Sequence, residues 1–248
     1  MTENQARFYD APREAMPAED REGYLNQKLS EFIQCAYRNS PATAERMDGA
    51  GISPSQIQTT GDLARIPVLT RDEFIQMQRT NPPFGGFLAI PPEHLENIFT
   101  SPGPVYEPQD SPELSMVLVK AYYAAGFRKG DRVLNTFSYH LAPGGQRAEK
   151  ALRILGATVV PTGVGNTELQ VQIMHDLGVT CYTGTASFLV TLIEKAEALG
   201  YDFRRDFALH RSWFIGEMLS PSLRKRLVQD YGITVAQVYG TGELGILA

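Results

Sequence analysis

The sequence predicts an α/β fold: a layered, parallel-rich sheet with flanking helices, preceded by a small helical N-terminal region. Three observations predict it. From residue 112 onward, segments of helical period alternate with short strand-type segments. Several of those strands are continuous apolar runs, as expected where both faces of a strand are buried. Upstream, amphipathic helical spacing gives way at 81–112 to a stretch with eight prolines and three glycines, which reads as loop and turn. The expected organisation is a helical region over 1–92 and an α/β domain over 93–248.

In chain order, residues 1–22 are polar and read as an arm. Leu25, Leu29, Phe32, Ile33 and Ala36 recur at spacings of three and four, predicting an amphipathic helix over 23–39 that ends at Ser40-Pro41. A short helix follows over 42–50. Ser53-Pro54 and Thr70 mark further helix starts, and Glu73 three positions after Thr70 completes a capping box. Beyond 112, helices are expected at 112–125, 146–155, 167–177, 186–199 and 220–231. Strands are expected at 132–138, 157–161, 179–183, 212–215 and 234–238. Strand–helix–strand alternation gives right-handed crossovers and a parallel sheet. In such a sheet, ligands sit beyond the carboxyl ends of the strands.

The 248 residues are 43% apolar and 21% charged, ordinary globular usage that excludes a disordered or collagenous chain. A net charge of −5 argues against nucleic acid, which selects a basic face. No apolar run is long enough to span a membrane, and the polar start is unlike a signal peptide, so a cytoplasmic location is expected. Cys35 and Cys181 form no disulfide framework and read as core thiols. The four histidines show no close ligand spacing, so no structural metal is expected.

Three loops that follow predicted strands have unusual compositions. They are Ser138-Tyr139-His140-Leu141-Ala142-Pro143-Gly144-Gly145, Gly216-Glu217-Met218-Leu219-Ser220 and Tyr239-Gly240-Thr241-Gly242-Glu243. A parallel sheet brings all three to one edge, around one cleft. Tyr239-Gly240-Thr241-Gly242-Glu243 resembles the Tyr-Gly-x-(Ser/Thr)-Glu segment of adenylate-forming enzymes, and Gly216-Glu217-Met218-Leu219-Ser220 is similar to their Gly-Ala-Glu-Pro-Leu-Ser segment. Gly130-Asp131-Arg132-Val133 with Tyr139 and Gly144-Gly145, Ile66-Pro67-Val68-Leu69-Thr70-Arg71-Asp72, and Pro83-Phe84-Gly85 resemble segments of phenylacetate–CoA ligases, in the family's order.

The resemblance implies ATP-dependent activation of an organic carboxylic acid, with an aryl acid among the candidates, as acyl-AMP and then transfer to CoA. Its cofactors are ATP, Mg²⁺ and CoA. It implies Glu243 as catalytic magnesium ligand, since Mg²⁺ takes hard oxygen donors shared with phosphates. Ser101, Gly103, Gly216, Glu217, Met218, Tyr239, Gly240 and Thr241 would bind nucleotide, and Tyr139, His140, Pro143 and Gly144 would face the acyl group. Blander readings stay open: Tyr239 as a core aromatic, Glu217 as a helix N-terminal charge, His140 as a packing residue. A partner other than the small-molecule acid is expected only as a second copy, a homodimer formed on a face left exposed by a missing domain.

The departures are as specific as the matches. The family's phosphate loop, Ser-Ser-Gly-Thr-Thr-Gly-Lys-Pro, falls on Ser101-Pro102-Gly103-Pro104-Val105-Tyr106-Glu107-Pro108. Glu107 stands where the lysine belongs. A carboxylate near a phosphate costs roughly 4 kcal/mol at ~4 Å and an effective dielectric of 20. Gly242 replaces a phosphate-contacting hydroxyl, and the family's C-terminal lysine-bearing domain is expected to be absent. The alternative reading is therefore a catalytically impaired relative that binds an acid or nucleotide without turnover. Gly163-Val164-Gly165-Asn166-Thr167-Glu168 also resembles half of a dinucleotide fingerprint, with Glu168 in place of the third glycine. A Gly-x-Ser-x-Gly elbow and a Walker pattern are both missing from the sequence.

Overall fold

The computed structural model describes residues 7–101, 103–109, 113–241 and 244–247. The chain divides into two compact units, one of Ala11–Asp110 and one of Met1–Asp10 with Ser111–Ala248. Among the described residues, no helix is long and apolar enough to cross a membrane.

In the unit Ala11–Asp110, helices α1 (Ala11–Glu14), α2 (Ala18–Asn39) and α3 (Pro41–Gly49) lead into two 3₁₀ turns and α4 (Arg71–Thr80). The expected polar arm is corrected here, because α2 already begins at Ala18. Glu19 and Asp20 complement the positive helix N-terminus, and Arg21 Nη2 reaches back to the carbonyls of Glu14 and Met16, each at 3.1 Å. The buried stripe of α2 is also narrower than the sequence predicts. Ile33, with Leu29 and Tyr37, packs on Met47, Ile52 and Ile57, while Phe32 stands 66% exposed. The Thr70 capping box forms: the Glu73 amide donates to Thr70 Oγ1 at 3.3 Å and the Thr70 amide donates to Glu73 Oε2 at 2.7 Å.

The reading of 81–112 as loop misses an antiparallel hairpin, β1 (Asn97–Ser101) with β2 (Val105–Gln109), in register Asn97↔Gln109 to Ser101↔Val105. In a two-stranded sheet every strand is an edge, so Pro108 is tolerated inside β2. The buried Gln78 amide completes one edge, its Nε2 donating to the Tyr106 carbonyl and its Oε1 accepting from the Tyr106 amide, both at 2.9 Å.

The second unit carries α5 (Glu113–Ala124), β3 (Arg132–Asn135), α6 (Gly144–Leu155), β4 (Thr158–Val160), α7 (Thr167–Asp176) and β5 (Cys181–Gly184). Then come α8 (Ala186–Ala198), α9 (Phe203–Asp206), β6 (Arg211–Phe214), α10 (Pro221–Gln229), β7 (Thr234–Gln237) and the small hairpin β8 (Gly240–Thr241) with β9 (Gly245–Ile246). The five central strands are all parallel, in the order β4-β3-β5-β6-β7.

Side chains alternate across the sheet, because successive strand residues point to opposite faces. Val133, Cys181 and Trp213 pack with α5 and α6 through Val119, Tyr122, Ala151 and Leu152. Leu134, Tyr182 and Phe214 pack with α7, α8 and α10 through Val171, Leu189 and Leu227. Both faces are therefore covered, as the apolar strand runs require.

The carboxyl ends of β3 and β5 carry buried polar groups, and the fold satisfies them internally. Tyr122 Oη lies 2.8 Å from Thr183 Oγ1, and Thr136 Oγ1 lies 3.0 Å from Tyr182 Oη, which donates to the Thr185 carbonyl at 2.9 Å. Gly184 sits under this bridge. A Cβ there would collide with Thr136 Oγ1 and Tyr182 Oη.

Gly184→Ala is expected to destabilise the protein by about 1–3 kcal/mol, the usual cost of overpacking. Urea unfolding measures it, and an unchanged midpoint would contradict the packing. Burial, above all else, raises the phenols of Tyr122 and Tyr182 above their ordinary value. The folded state thus keeps protons that the unfolded chain releases. The stability this provides is complete below about pH 10 and is lost as pH rises beyond it, by up to about 1.4 kcal/mol per pH unit for each phenol. Urea midpoints recorded from about pH 9 to 11 should fall accordingly, and the double variant Tyr122→Phe/Tyr182→Phe should flatten the profile.

Candidate functional site

The strand order makes β3 the turning point of the sheet: the chain leaves it for β4 on one side and returns past it to β5 on the other. At such a switch point, the loops leaving the carboxyl ends of the two adjacent strands part and open a crevice. A cavity of about 380 Å³ lies there. Its walls come from the residues after β3 (Thr136, Phe137, Ser138), from Val164 after β4, and from Thr185 with the first turns of α8 (Ser187, Phe188, Thr191). The wall is mixed, with two aromatic rings and one valine set among five hydroxyls.

The loop after β3 is fixed from beneath. Buried Asn135 donates through Nδ2 to Tyr139 Oη at 2.8 Å and to the Gly145 carbonyl at 2.9 Å. Gly145 is required by close approach, since a Cβ there would lie 2.6 Å from the Ser138 carbonyl oxygen. Burial, followed by the nearby charge of Glu149, raises the Tyr139 phenol. The phenol is therefore neutral and serves as a hydrogen-bonding and packing group.

The loop after β6 is tied to the loop after β5 by Glu217. Its Oε1 accepts from the Ser187 amide at 2.5 Å and its Oε2 from Ser187 Oγ at 2.9 Å. The first turn of α8 thus receives a carboxylate, which compensates the helix dipole and one orphan amide. Thr185 Oγ1 accepts from the Phe188 amide at 3.4 Å. Gln237 Nε2, at the end of β7, donates to the Glu217 carbonyl at 2.8 Å. Gly240 lies against Ile215, and its missing Cβ makes room for the Gly245 carbonyl across the β8–β9 pair. Loops after β5, β6 and β7 are thus linked in a row along one sheet edge.

The residues selected from sequence fall as follows. Gly216, Glu217, Met218, Tyr239, Gly240 and Thr241 lie after β6 and β7 on this edge. Tyr239 is 65% exposed, so it is not a core aromatic. Glu217 does serve a helix N-terminus, but that of α8 rather than the helix that follows it in sequence. Met218 is exposed, and Gly216 has φ +94°, a left-handed conformation that favours glycine. Tyr139, His140, Pro143 and Gly144 lie on the β3–α6 connection. None of the four lines the cavity, whereas their neighbours Thr136, Phe137 and Ser138 do. His140 is exposed, and its amide donates to Ser138 Oγ at 3.2 Å.

Ser101 and Gly103 lie in the other unit, at the turn of the β1–β2 hairpin, where Arg71 Nη2 approaches Ser101 Oγ at 3.4 Å. Glu243 and Gly242 lie outside the described residues. The Gly163–Glu168 segment does follow a strand and open a helix, but Gln170 Nε2 folds back onto the carbonyls of Gly163 and Gly165, and Glu168 pairs with Lys195 at 2.8 Å. Sequence reasoning missed Val164, Thr185, Ser187, Phe188 and Thr191. Only the turn signal of Thr185, an N-cap residue between strand and helix, marks that wall in the sequence.

No protein-family model matches the chain. The phenylacetate–coenzyme A ligase of Pseudomonas putida is 30% identical over 225 residues, which are 88% of this chain and 50% of that protein. The enzyme of the same name from Escherichia coli K12 is 29% identical over 241 residues, 94% of this chain and 54% of that protein. The chain therefore spans about half the length of the curated relatives it matches. Among solved structures, 2-hydroxyisobutyryl-CoA ligase in complex with 2-HIB-AMP superimposes with a TM-score of 0.88 at 25% identity, covering 95% of this chain and 51% of that one. An open conformation of that ligase with 2-HIB-AMP and CoA gives 0.88 at 25% identity, with 95% and 56% covered. In sequence the chain is thus similar, over most of its own length, to phenylacetate–coenzyme A ligases, and its fold is that of adenylate-forming CoA ligases.

Proposed function

We propose that this chain provides the acid- and nucleotide-binding part of an ATP-dependent acid–CoA ligase, which activates an organic carboxylic acid as acyl-AMP and then transfers the acyl group to CoA. The observation that carries this reading is the cavity at the β3/β5 switch point, whose α8 wall is tied through Glu217 to the loop after β6 and through Gln237 to the end of β7. Its size and mixed lining suit a small acid with an apolar body, an aryl acid included.

In this reading, the main chain of Gly216, Glu217 and Met218 lines the purine. The Glu217 carboxylate is spent on the first turn of α8, which leaves the backbone and the exposed Met218 as the groups this loop offers. Tyr239 presents an exposed flat ring to the adenine, with Gly240 and Thr241 beside it. Phe137 and Phe188 enclose the acid's apolar part, and Thr136, Ser138 and Thr191 offer hydroxyls to its polar substituents. Tyr139 supports that wall through Asn135, while His140, Pro143 and Gly144 shape the loop behind it. Ser101 and Gly103 are assigned to the phosphates, and Glu243 to Mg²⁺, whose charge would shield the developing negative charge of pyrophosphate.

A second reading follows from Glu107, which β2 carries where the family has lysine. Here the cleft binds an acid or a nucleoside monophosphate without releasing pyrophosphate. Calorimetry with ATP·Mg²⁺ and with a non-hydrolysable acyl-AMP analogue tests the binding common to both readings. Absence of heat and of thermal shift with either ligand removes both, and acid-dependent pyrophosphate release selects the ligase. Tyr239→Ala should weaken the acyl-AMP analogue by about 1–3 kcal/mol, the usual worth of stacking one base on an aromatic ring. The unfolding midpoint should not move, because the ring is exposed. Unchanged affinity would remove Tyr239 from the purine site.

A further inference from the structure

The amino-terminal edge of the same sheet, opposite the cleft, gathers a second set of chemically competent side chains. Asp131 immediately precedes β3, Cys181 opens β5, and His210 immediately precedes β6. These three strands are adjacent. One carboxylate oxygen, the thiol sulfur and one imidazole nitrogen all lie within 4.8 Å of one another. The sequence hides this grouping, because the three residues are separated by 50 and 29 positions and only the parallel pairing brings them level.

Their surroundings orient them. His210 Nδ1 lies 3.1 Å from the Ala208 carbonyl, which can only accept, so Nδ1–H is the donor and Nε2 the acceptor of the ring. A backbone carbonyl holding the far nitrogen is the usual support of a ligating histidine. Asp131 Oδ2 accepts from the Arg128 amide at 2.7 Å, and Thr180 Oγ1 lies 3.3 Å from Asp131 Oδ1. Cys181 is fully buried, whereas His210 is exposed and Asp131 half-buried, so the group opens to solvent on one side only. Arg211 opposes a cation and competes for the lone pair of His210 Nε2: its Nη1 lies 3.4 Å from that nitrogen as a donor and must turn aside for an ion to bind. Once binding has displaced the thiol proton, a thiolate and a carboxylate would set two negative charges against that one positive charge.

We propose that Asp131, Cys181 and His210 bind a borderline-soft divalent transition ion, with zinc the best fit, at the amino-terminal edge of the sheet. Tetrahedral zinc at 2.0–2.3 Å from its ligands holds them about 3.3–3.8 Å apart. Closing the present spread takes about 1 Å, within reach of side-chain rotation at His210 and Asp131. The thiol rules out hard ions such as Mg²⁺ or Ca²⁺ as preferred occupants. Binding exchanges the Cys181 thiol proton for the metal and leaves the fourth position to water. The ion would clip three strands together at the edge away from the cleft, and the assignment is independent of the ligase reading.

The test uses the full chain carrying Cys35→Ser, which removes the exposed thiol from the background. Cobalt(II) titrated into the metal-stripped, reduced protein should saturate at one equivalent, with a thiolate-to-cobalt charge-transfer band and the visible bands of four-coordinate cobalt. Zinc should displace it and raise the melting temperature. Cys181→Ser should abolish the charge-transfer band, and His210→Ala, at an exposed position, should weaken zinc by at least about tenfold. Absence of the cobalt bands overturns the proposal. So does zinc affinity unchanged in both variants, which would place any bound metal elsewhere.

Discussion

Asn135 and Thr183 are fully buried at the carboxyl ends of β3 and β5, and Thr136, just beyond β3, is almost fully buried at the cavity wall. An unpaired buried hydroxyl or amide costs about 1–3 kcal/mol, so each must find a partner inside the protein. The partners are Tyr139 and Gly145 for Asn135, Tyr182 for Thr136, and Tyr122 for Thr183. Tyr139 and Gly145 belong to the β3–α6 connection and its helix start, Tyr182 passes the contact on to the Thr185 carbonyl at the start of α8, and Tyr122 comes from α5 beneath the sheet. The requirement to satisfy three buried polar groups therefore sets the course of the backbone after β3 and after β5. Removing the partners would leave the sheet intact but its upper edge undetermined.

This explains why the order of elements was more legible in the sequence than the site. Each of the five strands and the helices between them announces itself by an apolar run or by helical spacing, because both faces of the sheet are covered. The Thr70–Glu73 box is readable because its two partners are three residues apart. Glu217 caps a helix that begins 31 residues earlier, and no spacing rule reaches that far. The walls from α8 escaped for the same reason: Ser187, Phe188 and Thr191 look like an ordinary helix start until β5 is paired with β3. The β1–β2 hairpin was hidden by its prolines, which signal turns, although a two-stranded sheet has free edges that accept them. The arm over 1–22 misled through polarity, since a helix that buries little can be polar on most of its surface.

In the proposed reading, the Glu217 contact would couple the purine and acid sites. Its side chain holds the first turn of α8, which lines the cavity proposed for the acid, while its own main chain belongs to the loop proposed for the purine. Gln237 grips that main chain from the end of β7. Displacement of the purine loop would therefore pull on the acid wall through a charged, short hydrogen bond rather than through apolar packing. Charge-assisted bonds of this kind are directional, so the wall follows the loop or loses its cap.

A parallel sheet with connecting helices is electrically polarised by construction. Helices run antiparallel to the strands, so their N-termini gather at the carboxyl edge and their C-termini at the amino edge. Each terminus carries about half a unit charge, positive at the N-terminus and negative at the C-terminus. The carboxyl edge therefore favours anions, and the protein places its own there in Glu217, at a helix start. Carboxylate and phosphate ligands belong at that edge for the same reason. The amino edge favours cations. Asp131, Cys181 and His210 meet at that edge, beyond the C-terminal turns of α7 and α9, where acidic and soft ligands add to the negative helix ends instead of competing with them.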